Sequence, residues 1–93
     1  MSYADLTGAN LYGADLADAN LRDADLSYAI TGDNTDLEYA DLTGADLSYA
    51  DLTAAILESA DFTGAIVTDA DFIDTYWYQT IWTDGVAYDE NQA

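Results

Sequence analysis

The 93-residue sequence has no cysteine, histidine or proline, and it carries one basic residue against 19 acidic ones, for a formal net charge of −18. Without cysteine or histidine, the chain can form no disulfide framework, no zinc cluster and no thiol or imidazole catalytic system. The negative charge argues against direct binding to nucleic acid or to an anionic membrane. Because the chain also lacks a basic-then-apolar leader and a membrane-spanning apolar run, we expect a soluble, cytoplasmic protein.

Hydrophobic residues nevertheless make up 51% of the chain, and they follow a five-residue repeat. Units such as ADLTG, ANLYG and ADLSY run from Ala4 to Asp84, with an interruption at residues 30–35. All ten leucines occupy the third position of a unit, and 13 of the 17 alanines occupy the first. This apolar and aromatic content indicates one folded domain rather than a disordered acidic tail.

The period of five fits neither of the regular secondary structures. On an α-helix, residues five apart advance by about 500° and form no stripe. On a continuous strand, an odd period would place successive leucines on opposite faces. The chain must therefore turn once in each unit, and the Gly, Asp and Ser residues that follow the leucines favour such turns.

The A-(D/N)-L-X-X pattern resembles the pentapeptide repeat family over about nine-tenths of the chain. The resemblance implies an all-β fold, a right-handed quadrilateral parallel β-helix (a β-solenoid) with about four coils of four units. It also implies that the central Leu or Phe and the preceding Ala point inward. We expect N-terminal residues 1–3, a β-helix over residues 4–84 with a loop at 30–35, and a C-terminal cap or tail over residues 85–93.

Four units per coil place equivalent residues in columns, provided that the interruption shifts the register by a single residue. The expected central columns are Leu6, Leu26, Leu47 and Val67; Leu11, Thr31, Leu52 and Phe72; Leu16, Leu37, Leu57 and Trp77; and Leu21, Leu42, Phe62 and Trp82. Thr31 is the single polar member, and it adjoins the irregular stretch.

The two ends of the solenoid carry different residues. Trp77 and Trp82, with the tail residues Val86, Ala87 and Tyr88, are interpreted as the C-terminal cap, because terminal repeats must shield the open core. At the other end, the first coil is expected to expose an apolar ring, which is a candidate end for homodimerisation by end-to-end stacking. That ring consists of Leu6, Leu11, Leu16 and Leu21. The alternative is that Met1 and Tyr3 fold over it.

Most second positions are Asp or Asn, and they lie beside inward-pointing residues, so their side chains face outward. They are interpreted first as side chains that bond turn amides and keep the solenoid soluble. Mimicry of DNA charge and cation binding by stacked carboxylates remain alternatives. The candidate interaction surface combines the ladder Asp5, Asp25 and Asp46 with Tyr28 and Tyr49, whose rings share a column and can stack.

Catalysis is not expected, because a convex solenoid offers no pocket that would desolvate a carboxylate and raise its pKa. The prediction is a non-enzymatic acidic module that binds a protein or serves a structural role, with no catalytic, metal or cofactor-binding residues and no cofactor. Its partner is expected to be a basic or DNA-binding protein rather than nucleic acid or a membrane. The resemblance also suggests the alternative of a DNA-mimicking modulator of a type II topoisomerase such as gyrase.

Overall fold

The computed structural model describes residues 3–32 and 35–93. Its two named strands lie at the C-terminal end, where β1 (Thr80–Ile81) pairs in antiparallel fashion with β2 (Ala87–Tyr88). The remainder of the ladder consists of isolated parallel bridges between short extended segments. No helix in the described residues is long and apolar enough to cross a membrane.

The parallel bridges form four columns, one for each side of a square coil. The bridged residues are Asp5, Asp25, Asp46 and Ile66; Asn10, Ile30, Asp51 and Asp71; Asp15, Asp36, Ile56 and Tyr76; and Asn20, Asp41, Asp61 and Ile81. Bridged partners are 20 residues apart, or 21 where the interruption lies between them. The chain therefore returns above itself after four pentapeptides, and the expected single-residue shift at the interruption is confirmed.

Each side of the coil is held by the same two backbone hydrogen bonds. The Leu26 N–H donates to the Asp46 carbonyl one turn further along at 2.7 Å, and the Asp46 N–H donates back to the Ala24 carbonyl at 2.9 Å. A third bond closes each corner, as where the Ala29 N–H donates to the Leu26 carbonyl at 3.0 Å. These bonds satisfy buried backbone groups without any long strand.

The corners are made by fifth-position residues in the left-handed conformation. Some are glycines, such as Gly44 at φ 70°, but others carry side chains, such as Tyr49 at φ 61° and Ala54 at φ 63°. For L-residues this conformation costs roughly 1–2 kcal/mol. The predicted turn is therefore confirmed in the units outside the interruption, and their non-glycine corners hold strain that the stacking of the coils must offset.

Replacing Ala54 by glycine is expected to stabilise the protein by about 0.5–1 kcal/mol, because glycine adopts positive φ without strain. Ala17, at a fourth position and not among the residues with positive φ, is the matched control. The Ala17→Gly change should destabilise by about 0.5–1 kcal/mol. Urea denaturation of both variants checks this, and equal destabilisation by the two changes would contradict the corner assignment.

The core contains the third-position and first-position side chains. Leu42, Leu57, Ala45 and Phe62 are at most 1% exposed, and they belong to one continuous cluster of Leu, Ala, Phe and Trp side chains. Thr31 is buried within it as predicted, and its hydroxyl donates to the Asp51 carbonyl at 3.3 Å. The expectation that the central Leu or Phe and the preceding Ala point inward is therefore confirmed.

Two threonines replace alanine at buried first positions and satisfy their hydroxyls in the same way. The Thr35 hydroxyl donates to the Leu11 carbonyl at 2.9 Å, and the Thr80 hydroxyl donates to the Leu57 carbonyl at 2.7 Å. The Gly32 N–H also donates to the Thr35 hydroxyl at 3.1 Å, which ties the interruption to the core. The predicted loop at 30–35 includes Asp33 and Asn34, which lie outside the described residues.

The C-terminal end is covered by an aromatic cluster and by the returning tail. The Trp82 ring lies 5.0 Å from Trp77, 5.2 Å from Phe72 and 5.5 Å from Phe62, measured between centroids. Within the tail, Tyr88 packs against the core, whereas Val86 is 50% exposed and Ala87 is also exposed. The expectation that all three tail residues cover the core is wrong for Val86 and Ala87, which are exposed and do not belong to the side chains that pack against the core cluster.

At the N-terminal end, Leu6, Leu11 and Leu16 are half-buried, but Leu21 is fully buried at 0% exposure. The expectation that Leu21 joins an exposed ring is therefore wrong. A solenoid climbs by about 4.8 Å in each turn, so the last unit of a turn lies almost one strand spacing above the first. The end-to-end homodimer through this ring stays a prediction.

Candidate interaction surface

Aspartates at the second position are held in a fixed geometry by the residue two places later. The Asp25 Oδ1 accepts the Ser27 N–H at 3.0 Å and the Ser27 hydroxyl at 2.6 Å. Asp46 accepts the same pair from Ser48 at 2.9 and 2.6 Å, and Asp5 accepts it from Thr7 at 3.1 and 2.7 Å. The interpretation that these aspartates bond turn amides is confirmed.

The same hydrogen bonds lower the pKa values of two of these aspartates, Asp5 and Asp25. The Thr7 hydroxyl, followed by the Thr7 N–H, lowers the pKa of Asp5, and the Ser27 hydroxyl and N–H lower the pKa of Asp25. At Asp41, desolvation by burial raises the pKa, but hydrogen bonds from Thr43 and Arg22 outweigh it and the net pKa is lowered. Asp5, Asp25 and Asp41 therefore keep their negative charge to a lower pH than an ordinary aspartate.

Glu38 departs from this simple pattern, whereas a carboxylate in the tail follows it. The pKa of Glu38 is raised, chiefly by the negative charge of Asp36 and next by desolvation. Smaller contributions come from the negative charges of Glu58 and Asp18. In the tail, the Val86 N–H and the Tyr88 hydroxyl lower the pKa of Asp84. One side of the solenoid therefore carries carboxylates that repel one another, whereas the tail carboxylate is stabilised by its hydrogen bonds.

The protein is expected to be most stable at mildly acidic pH. Lowering the pH from 7 to about 5 begins to protonate Glu38, whose pKa lies above its ordinary 4.5, and this relieves repulsion. Below the ordinary aspartate pKa of 3.8, stability should fall as the pH passes through the lowered pKa values of Asp5, Asp25, Asp41 and Asp84. Thermal melts from pH 3 to pH 7 test this curve.

The control for the pH curve is Glu38→Gln, which should raise the Tm at pH 7 and leave it unchanged at pH 3.5. A Tm that falls steadily from pH 7 to pH 5 would contradict the assigned repulsion. A Tm that stays constant down to pH 3 would contradict the role of the aspartate hydrogen bonds.

The Tyr28 and Tyr49 rings stack outside the solenoid, as their shared column predicts. Their centroids are 5.2 Å apart and their planes differ by 11°. Asp25 and Asp46 lie three residues before them, and Asp5 continues the same bridge column. The structure thus brings all five residues of the candidate interaction surface to one side and its adjoining corner.

Two neighbouring residues were not part of the predicted surface. Ile30, 46% exposed, lies between Asn10 and Asp51 on the adjoining side. Tyr12 lies over Gly32, where its ring occupies the place that a side chain at residue 32 would take. The sequence feature that could have predicted this contact is Gly32 itself. A glycine in a surface column leaves room for the side chain of the residue one turn below, which is Tyr12.

Among the residues that the structure describes, no group of three or more Asp or Glu side chains could hold a metal ion. The ladder of Asp5, Asp25 and Asp46 therefore gives the cation-binding alternative no geometric support.

These features define the class of protein as an acidic β-solenoid of pentapeptides. The family model described as pentapeptide repeats matches residues 1–30 and 35–74 in eight copies, so the chain belongs to the pentapeptide repeat family. Family membership and the parallel bridges together give the right-handed β-helical solenoid that the resemblance implied.

Two solved structures from cyanobacteria are similar to this chain. HetL, a pentapeptide repeat protein of Nostoc sp. strain PCC 7120 involved in heterocyst differentiation regulation, is 40% identical over 92% of this chain, with a TM-score of 0.58. The pentapeptide repeat protein alr5209 of Nostoc PCC 7120 is 30% identical over 99% of this chain, with a TM-score of 0.56. The chain spans 41% of HetL and 75% of alr5209. No curated protein sequence matches it significantly.

Proposed function

We propose that this solenoid is a non-catalytic binding module whose acidic sides engage a basic partner protein. The observation that carries the proposal is the surface on which fixed, ionised carboxylates flank exposed tyrosines, as at Asp25, Asp46 and the Tyr28–Tyr49 pair. Tyrosine is enriched at protein interfaces, and a basic partner complements the net charge of −18. We further infer that the repeat completes about four coils of four units, which display second-position aspartates on all four sides.

The electrostatics of the carboxylates favour binding over catalysis. A general acid needs a pKa raised toward neutrality, whereas hydrogen bonds lower the pKa values of Asp5 and Asp25. Such carboxylates remain ionised acceptors for Arg and Lys. HetL, to which this chain is similar, is involved in regulation, and a regulatory role is compatible with binding another protein.

The test is affinity capture from a lysate of the source organism, with the full chain and a charge-reduced variant as parallel baits. The variant is Asp25→Asn with Asp46→Asn, because asparagine already makes the same turn at Asn10 and Asn20. This change removes charge and keeps the hydrogen bond to the N–H two residues later. We expect the wild-type bait to retain a basic protein that the variant retains less well.

A retained partner should then bind the purified chain with an affinity that falls as salt rises from 0.05 to 0.5 M, because salt screens exposed charges. Retention of the same proteins by both baits would contradict the proposal. An affinity that does not depend on salt would also contradict it.

DNA mimicry is the second candidate, and the charge density favours it. The body measures 28 × 25 × 24 Å and carries a net charge of −18. B-DNA carries about one charge per 1.7 Å, or roughly 14 over 24 Å. Such a body spans only about seven base pairs at 3.4 Å each. A gyrase supercoiling assay tests this candidate: inhibition at micromolar protein supports it, and unchanged supercoiling eliminates it.

A further inference from the structure

The corner that carries the stacked tyrosines begins with a glycine. Its column consists of Gly8, Tyr28, Tyr49 and Asp69, one residue from each successive turn. Backbone hydrogen bonds fix this order, since the Gly8 N–H donates to the Ser27 carbonyl at 2.9 Å and the Tyr28 N–H donates to the Ser48 carbonyl at 3.0 Å. The two rings therefore form a stack that stops one turn short of the first coil.

Gly8 leaves the next place in that stack vacant. A Cβ added at Gly8 would meet no atom of residues 3–32 or 35–93 within 4 Å, so among the described residues the space beside this corner is open. Successive turns are separated by about 4.8 Å, which is wide enough for one more planar group to lie against the Tyr28 ring. Tyr28 is 59% exposed, so the ring is accessible to a partner.

Two carboxylates lie on the side of the solenoid that leads into this corner. Asp5 precedes Gly8 by three residues and Asp25 precedes Tyr28 by three residues, and the two aspartates are bridge partners on adjacent turns. Both are fixed by Thr7 and Ser27, so they are held in place before a ligand arrives. The chain's single basic residue, Arg22, pairs with Asp41 at 3.2 Å on another side of the solenoid and does not neutralise them.

We infer that Gly8, Tyr28, Asp5 and Asp25 form a notch that takes the guanidinium group of an arginine on a basic partner protein. The guanidinium lies flat against Tyr28 as the third layer of the tyrosine stack, and its N–H groups donate to the carboxylates of Asp5 and Asp25. This inference rests on the proposed function and adds to it a residue type and a docking point.

Arginine suits this notch better than lysine. The guanidinium is planar, stacks on aromatic rings and presents five donors in a fixed fork, whereas an ammonium is a compact, strongly hydrated point charge. A cation of either kind over an exposed aromatic ring gains about 0.5–1 kcal/mol, so the preference for arginine comes from the flat stacking and the additional hydrogen bonds of its planar fork. An arginine peptide should therefore bind about threefold more tightly than the lysine peptide of the same charge.

The test uses the full chain and two short peptides, Ac-Gly-Ser-Arg-Ser-Gly-NH2 and its lysine counterpart, titrated by two-dimensional NMR. We expect saturable shifts of the Gly8 amide and Tyr28 ring signals with the arginine peptide and about threefold weaker binding of the lysine peptide. The blocking variant is Gly8→Tyr, which fills the vacant place with a third ring. Its matched control is Gly64→Tyr, since Gly64 is another open corner, with φ 68° and no atom near an added Cβ.

Gly8→Tyr should remove the localised shifts, and Gly64→Tyr should retain them. Equal binding of the two peptides, shifts spread evenly over the acidic sides, or undiminished binding to Gly8→Tyr would overturn the notch. The proposed function would survive those results if a basic partner is still retained in a charge-dependent way. Loss of charge-dependent retention, with the localised arginine shifts intact, would instead overturn the proposed function alone.

Discussion

Replacing Phe62 with alanine is expected to lower the free energy of unfolding by about 3–5 kcal/mol. Phe62 is completely buried, and its ring lies 5.9 Å from Phe72 and 5.5 Å from Trp82 between centroids. The substitution removes these contacts and leaves a cavity between two turns that the backbone ladder holds apart. Each turn of a solenoid contacts only the turns next to it. The loss should therefore also weaken the cooperativity of unfolding between the aromatic end and the leucine columns.

Urea denaturation followed by tryptophan fluorescence measures this loss, since Trp82 reports directly on the affected cluster. Ile73→Ala is the surface control, because Ile73 is 59% exposed and its truncation should cost less than about 0.5 kcal/mol. Phe62→Leu should fall between the two. Similar stabilities for the Phe62→Ala and Ile73→Ala variants would contradict the assignment of Phe62 to the core.

Enlarging a first-position alanine should be nearly as damaging. Ala45 is 0% exposed and points inward beside the leucine columns, so Ala45→Leu forces extra carbon atoms into a closed interior. Overpacking of this kind typically costs about 1–3 kcal/mol, and the rigid square of the coil should place this variant near 3 kcal/mol.

The matched control for Ala45→Leu is Ala17→Leu, at a half-buried fourth position outside the core cluster. Thermal melts by circular dichroism should show a large drop in Tm for the first variant and little change for the second. Equal Tm values would mean that first positions do not point into the core.

The core and the register could be predicted because every unit repeats the same spacing. The period of five requires a turn in each unit, and one additional residue at the interruption restores the columns, as the 21-residue bridge from Asp25 to Asp46 shows. The turn argument does not specify how many units make one coil, so the number four came from the family resemblance. Burial of Leu21 was missed because the columns ignore the climb within a turn.

The ends and the surface details were harder to predict, because they lie outside the repeat or depend on gaps in it. The antiparallel pairing of β1 with β2 uses tail residues that follow no period. The tyrosine stack followed from the column of Tyr28 and Tyr49, but the notch at Gly8 required knowing that no other described residue fills the vacant place. The position of the vacant place is given by a glycine, and a pattern of side chains in the sequence does not reveal it.

The stacking of successive turns is tested most directly by pyrene labelling at corner residues, since the chain has no cysteine of its own. The variant Tyr28→Cys with Tyr49→Cys places two labels on neighbouring turns, and the control Tyr28→Cys with Tyr39→Cys places them on different corners. We predict excimer emission from the first pair and monomer emission from the second. On a helix, residues 28 and 49 would be about 31 Å apart. Monomer emission from the first pair, or stronger excimer emission from the control, would contradict the solenoid.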